Sequence, residues 1–140
     1  MKDWTMSIDE LTLAEIVELK EQGIPLPKKF IEIIGKPYAI MILSRSNGEI
    51  RLIPTDTSEV VKLTVEIDKL SQRFLRDLGL IIVRDKIEFL HTTGLCRKGK
   101  QCFYEGYIEK NKLSVEVEEL KFQVSQIEGV TKVDVNIIKL

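Results

Sequence analysis

Between Val17 and Thr55 the sequence reads VELKEQGIPLPKKFIEIIGKPYAIMILSRSNGEIRLIPT, and its prolines and glycines fix the backbone almost step by step. Pro25 and Pro27 forbid helix through that point, yet Pro27 suits the first turn of a helix that follows. Residues 28–34 then make about two turns with Phe30, Ile33 and Ile34 on one face. Gly35 is a suitable C-terminal cap, and Pro37 blocks continuation. Ahead of the prolines, residues 15–19 alternate polar and apolar and read as a strand. Behind them, residues 38–43 and 49–53 read as apolar strands, with Asn47-Gly48 supplying the positive φ angles of a tight hairpin turn. A segment this small cannot bury a core alone. It implies two chains sharing one fold, and a dimeric binding module rather than an enzyme.

The whole chain has 140 residues, enough for one compact domain or two small ones. With 44% hydrophobic and 31% charged residues it is globular rather than disordered. A net charge of −1 creates no global field toward nucleic acid or anionic membrane. No apolar run approaches the roughly 20 residues that span a bilayer. The acidic start MKDWTMSIDELT lacks an apolar leader core, and two cysteines are too few for a disulfide scaffold, so a reducing cytoplasm is the expected location.

The polar cluster at residues 54–59 (PTDTSE) is the natural linker and divides the chain into residues 1–56 and 57–140. The first part carries seven Lys or Arg against nine Asp or Glu, the second fourteen against thirteen. Near the start, residues 7–10 carry a weak helix-cap pattern. Beyond the linker, residues 60–67 alternate, with Val61, Leu63, Val65 and Ile67 on one side. Asp68 can cap a helix reaching Leu80, with Leu70, Phe74, Leu75 and Leu78 at helical spacing. Residues 86–91 and 102–109 read as strands joined by a loop rich in Gly and Lys. Ser114 can cap a helix to Ile127, buried through Val117, Leu120, Val124 and Ile127. Gly129 ends it, and residues 130–138 alternate with Val133, Val135 and Ile137 inward. The expected class is α+β: a swapped-hairpin β module, then a ferredoxin-like β-α-β-β-α-β domain.

Two family resemblances follow from these pieces. Residues 15–55, through Val17-Glu18-Leu19, Gly23-Ile24-Pro25-Leu26-Pro27, Ile34-Gly35, Asn47-Gly48 and Leu52-Ile53-Pro54, resemble the AbrB/SpoVT swapped-hairpin family. That resemblance implies two chains interleaved into one barrel that binds DNA, with Lys20, Lys28, Lys29, Arg45 and Arg51 as the contact residues and Lys36 nearby. Family members usually carry Arg in the helix, where this chain has Phe30, Ile31 and Glu32. Residues 60–138 resemble an ACT-type regulatory domain, most closely in the tail Leu120-Lys-Phe-Gln-Val-Ser-Gln-Ile-Glu-Gly-Val-Thr-Lys-Val-Asp-Val. This implies side-by-side pairing and an amino acid or other small effector near the first strand-to-helix loop, at Asp68 and Lys69. The Gly usual in that loop is replaced by the run Glu66-Ile67-Asp68-Lys69-Leu70.

One stretch carries possible chemistry. His91, Cys96 and Cys102 are the single histidine and both cysteines of the chain. An imidazole and two thiolates can hold zinc, with a fourth ligand from Glu105 or a partner chain, although the spacing is not that of a zinc finger. Arg97, Lys98 and Lys100 favour thiolate, which suits a redox pair equally well, and the two sulfurs meet if the flanking strands pair across the loop. Alternatively both cysteines are small half-buried hydrophobes. The basic loop beside Phe103, Tyr104 and Tyr107 can cradle an anion or stack a base, or be simply solvated.

No phosphate loop, nucleophile elbow or paired-carboxylate motif appears, so catalysis is not expected and no cofactor beyond zinc is suggested. The expectation is a transcriptional regulator, a homodimer or higher oligomer that touches duplex DNA and senses a small effector. The alternative is an oligomeric scaffold that binds no DNA and carries a redox- or metal-responsive Cys pair.

Overall fold

The computed structural model describes residues 11–20, 25–97 and 101–140. The cap pattern at residues 7–10, Gly23-Ile24, and Lys98 and Lys100 of the basic loop lie outside them. The chain forms two compact units: Met1–Val60 with Ile138–Leu140, and Val61–Ile137.

In the first unit, β1 (Thr12–Glu18), β2 (Tyr38–Ser44) and β3 (Ile50–Thr55) form an antiparallel sheet in the order β1-β2-β3. The helix α1 (Lys28–Ile34) connects β1 to β2. It starts at Pro27, whose carbonyl accepts the Phe30 N–H at 2.9 Å, and stops at Gly35, which takes φ 65°. A residue with a side chain resists that left-handed angle, so Gly35 sets the helix length.

The β2–β3 turn differs from the expected two-residue hairpin. Leu43 opposes Ile50, and the Ser44 N–H donates to the Glu49 carbonyl at 2.8 Å, leaving a four-residue loop. Gly48 alone takes a positive φ there, 75°. Asn47 acts through its side chain, Oδ1 accepting the Glu49 N–H at 2.9 Å, which replaces the backbone turn that two positive φ values would have made. The register sits two residues from the expected one, so every side chain keeps its face.

In the second unit, β4 (Glu59–Ile67, whose first two residues belong to the first unit), β5 (His91–Cys96), β6 (Cys102–Glu109) and β7 (Val130–Lys139) form a sheet in the order β5-β6-β4-β7. The helices α2 (Gln72–Arg84) and α3 (Val117–Ser125) complete a β-α-β-β-α-β plan. Val61, Leu63, Val65 and Ile67 of β4 join Phe74, Leu78 and Ile81 of α2 and Leu120 and Val124 of α3 in one buried core. This is the alternation of the sequence meeting the helical stripes.

Several boundaries move: β1 starts earlier, at Thr12, α2 runs on to Arg84, and α3 stops at Ser125. Ser71, not Asp68, caps α2, its hydroxyl accepting the Phe74 N–H at 3.1 Å. The Ser114 hydroxyl donates to the Asp85 carbonyl at 2.8 Å instead of capping α3, which starts after Glu116. Residues 87–90, expected as strand, are irregular, and β5 begins only at His91. Inward positions shift as well: Leu75 and Ile137 are exposed.

The irregular stretch explains a glycine. A Cβ at Gly106 would meet Phe89 Cε1 at 2.3 Å, so the Phe89 ring fills the space that a side chain would need. Phe89 also meets Tyr104 edge-on, with ring centroids 6.3 Å apart. Gly106→Ala is expected to overpack this contact and lower stability by about 1–3 kcal/mol, and Phe89→Leu in the same chain to recover part of it, read by urea denaturation.

Among the described residues no helix is long and apolar enough to cross a membrane.

Candidate functional site

In the first unit the strand pairings sort side chains onto two faces. Ile16 opposes Ile40, which opposes Ile53; on this face Thr12, Ile16, Ile40, Ile42 and Thr55 are buried and Ile53 half-buried. The other face carries Leu13, Val17, Met41, Leu43, Ile50 and Leu52, together with Pro54, the fully buried Ala39 and the exposed Glu15. Leu13 is 37% exposed, Ile50 60%, and Val17, Met41, Leu43 and Leu52 only half-buried. No residue of α1 is buried, and Phe30 and Ile33 stand open on it. A soluble sheet normally alternates apolar-in with polar-out. This one is largely apolar on both faces, with Glu15 the one charged side chain on the second.

The cations of the DNA expectation are spread over that unit. Lys28 and Lys29 open α1 and are exposed, as is Arg51 on the buried-face side of β3. Lys20 follows β1 and lies 3.8 Å from Glu18. Arg45 follows β2 at the other end of the ladder, its N–H donating to the Leu11 carbonyl at 3.1 Å and its Nε buried. Six residue steps separate those ends, roughly 20 Å. Lys36 lies 3.6 Å from Asp56. Within one copy, then, the five residues do not gather on one patch.

In the second unit Asp68 and Lys69 are exposed in the β4–α2 turn. The Asp68 N–H donates to the Gly129 carbonyl at 2.9 Å, and the Lys69 carbonyl accepts the Ser71 N–H at 2.9 Å. A groove of about 390 Å³ lies elsewhere, between α3 and β7, lined by Lys121, Phe122 and Lys132 among others. Nothing in the alternation of β7 signalled it, because it depends on Phe122 standing outside the core.

Cys96 and Cys102 directly oppose each other at the end of the β5–β6 ladder and are joined as a disulfide. The neighbouring Arg97 N–H reaches the Gln101 carbonyl at 3.4 Å, which makes the cysteines a non-hydrogen-bonded pair, the position where opposed side chains come closest. Cys96 is exposed and Cys102 buried. The Leu70 N–H donates to Cys102 Sγ at 3.3 Å, a contact that sequence reasoning missed because it joins residues far apart in the chain. Arg97 lies over the Phe103 ring, 5.2 Å from its centroid.

The structure does not bring His91 to the sulfurs. Five residue steps of extended strand separate it from Cys96, roughly 17 Å, and their side chains point to opposite faces. Thr93 Oγ1 lies 3.0 Å from His91 Nε2 instead. Joined sulfurs offer no thiolate, and the described residues contain no metal-holding group of His, Cys, Asp or Glu. Glu105, the suggested fourth ligand, is buried 3.8 Å from Lys62. Tyr104, opposite Gly94, has its phenol pKa raised by burial and partly offset by a hydrogen bond with Thr92.

No family model matches this chain, and no curated protein does. Among solved structures it is similar to the uncharacterized protein TM1266 from Thermotoga maritima, at 14% identity, over 59% of this chain and 98% of that one, with a TM-score of 0.40. A likeness at that level assigns neither a family nor an activity.

Proposed function

We propose that this chain is a homodimeric regulatory protein whose N-terminal unit completes its core with a second copy and presents the paired unit to duplex DNA. The observation that carries the dimer is the second apolar face of the β1-β2-β3 sheet. Leaving that much aliphatic surface in water costs about 25 cal/mol for each Å² that a partner could cover. A second copy is the occupant favoured here because residues 15–55 resemble the AbrB/SpoVT family, in which two chains share one barrel. Pairing also doubles Lys28, Lys29 and Arg51 about a two-fold axis, as a two-fold DNA site requires. The βαββαβ unit, resembling ACT domains, serves as the effector-sensing or dimerising half, with Asp68 and Lys69 in its first strand-to-helix turn.

A second reading is an oligomer that binds no DNA. It is favoured by the ion pairs of Lys20 with Glu18 and Lys36 with Asp56, which set an opposite charge beside each of those cations. Sedimentation velocity and filter binding on random duplex DNA separate the two. The regulator reading expects a dimer and retention at about 50 mM salt that weakens steeply by about 200 mM, since each phosphate contact adds roughly −0.9 to the log–log slope. A dimer without retention leaves the scaffold; a monomer at every concentration overturns both.

A further inference from the structure

We propose that Cys96–Cys102 is a thiol–disulfide exchange site with fixed polarity: a small anionic thiol attacks Cys96, and Cys102 leaves as the thiolate. The inference concerns the second unit alone and does not depend on DNA binding or on dimerisation.

Two observations set the direction. The first is access. An incoming thiolate must reach the attacked sulfur from solvent, and Cys96 is exposed while Cys102 is 4% exposed. The second is the leaving group. Exchange is faster when the departing sulfur is the better-stabilised thiolate. The Leu70 N–H, 3.3 Å from Cys102 Sγ, is a donor already aimed at the charge that would develop there. The local charge bears on approach rather than on direction: Arg97 follows Cys96 directly and draws in an anionic thiol.

The step balances as follows. The thiolate RS⁻ bonds to Cys96 Sγ, the Sγ–Sγ bond breaks, and its electron pair leaves on Cys102, giving a mixed disulfide. A second RS⁻ attacks the R sulfur, forming RSSR and releasing Cys96 as thiolate. Both cysteine thiolates then take protons from water, so two thiols are oxidised as one disulfide is reduced. Return is equally direct. The β5–β6 ladder holds the two residues opposite each other, so a glutathionylated Cys96 faces Cys102 with no chain search.

The test uses the full chain and glutathione. Protein is purified without reductant and treated with sub-stoichiometric reduced glutathione. Free thiols are then blocked with N-ethylmaleimide and the chain is digested with trypsin. Cleavage after Arg97, Lys98 and Lys100 puts the cysteines in separate peptides. The expected result is glutathione on the Cys96 peptide at roughly tenfold or more over the Cys102 peptide. Equal labelling, or excess on Cys102, overturns the polarity. In glutathione buffers of rising reduced fraction, the thiol count should climb from zero to two and fall back on oxidation. A count that stays at zero or at two across the series overturns exchange altogether. Cys96→Ser and Cys102→Ser guard against scrambling: with oxidised glutathione, the chain that keeps Cys96 should react roughly tenfold faster than the one that keeps Cys102, and the reverse order overturns the assignment.

Discussion

Replacing Met41 with glutamate is expected to convert the proposed dimer to a monomer without unfolding the chain. Met41 sits at the middle of β2, the central strand, between Glu15 and Leu52 on the open apolar face. In one copy alone that position is only half-buried, so a carboxylate there keeps access to water and the fold survives. Against a second copy the same carboxylate loses water and gains no partner, a penalty of about 3 kcal/mol or more. Each 1.4 kcal/mol is about a tenfold change in Kd, so the dimer should weaken by at least about a hundredfold. Sedimentation velocity reads the change, circular dichroism checks the fold, and Ser46→Glu in the exposed turn is the control. A Met41→Glu chain that sediments as a dimer like the control would remove this face from the interface.

The second large effect is internal. Lys62 of β4 is buried on the sheet face away from the helices, its Nζ 3.8 Å from Glu105 Oε2 and 5.8 Å from the Tyr107 ring centroid. Lys62→Met removes the cation and leaves the buried carboxylate without that charge, which should cost about 3–5 kcal/mol. For a chain of this length the loss corresponds to a Tm drop on the order of 10 °C. The double variant Lys62→Met/Glu105→Leu removes both charges and should recover most of the loss, because desolvating the pair roughly offsets its attraction. Urea denaturation of the three chains decides it. A single variant within about 1 kcal/mol of the parent, or a double variant no better than the single, would show that the pair is not what holds those side chains.

Where the sequence constrained the backbone directly, it was readable. Pro27 and Gly35 bounded α1 because one presets φ and the other tolerates the left-handed angle. The strip Val61, Leu63, Val65 and Ile67 was readable because a strand repeats every two residues. Asn47-Gly48 misled for a physical reason: Asn can supply either a positive φ or a side-chain acceptor, and only the closed loop shows which. The stretch 86–91 alternates like a strand, but Ile87 and Phe89 fill core space, and the space Phe89 takes exists because residue 106 is a glycine. The candidate site was harder. The meeting of Cys96 and Cys102 was readable as sulfurs brought together across a loop; misplacing β5 hid only that Cys96 is itself a strand residue in direct register with Cys102. Lys62 and Glu105 occupy the outward parity of their strands and read as solvent-facing. Burial of that face is not written in strand periodicity.

The Cys96–Cys102 bond has one more consequence, from its position on β5, an outer strand of the four-stranded sheet. An outer strand offers unpaired backbone groups on which a foreign strand can add, and a short strand interrupted by glycine, as β5 is by Gly94, frays readily. Tying its last residue to β6 pins the register at the end most prone to peel. The same two sulfurs that exchange with thiols thus guard the sheet against aggregation, and a reduced sample gives up that protection for as long as it stays reduced.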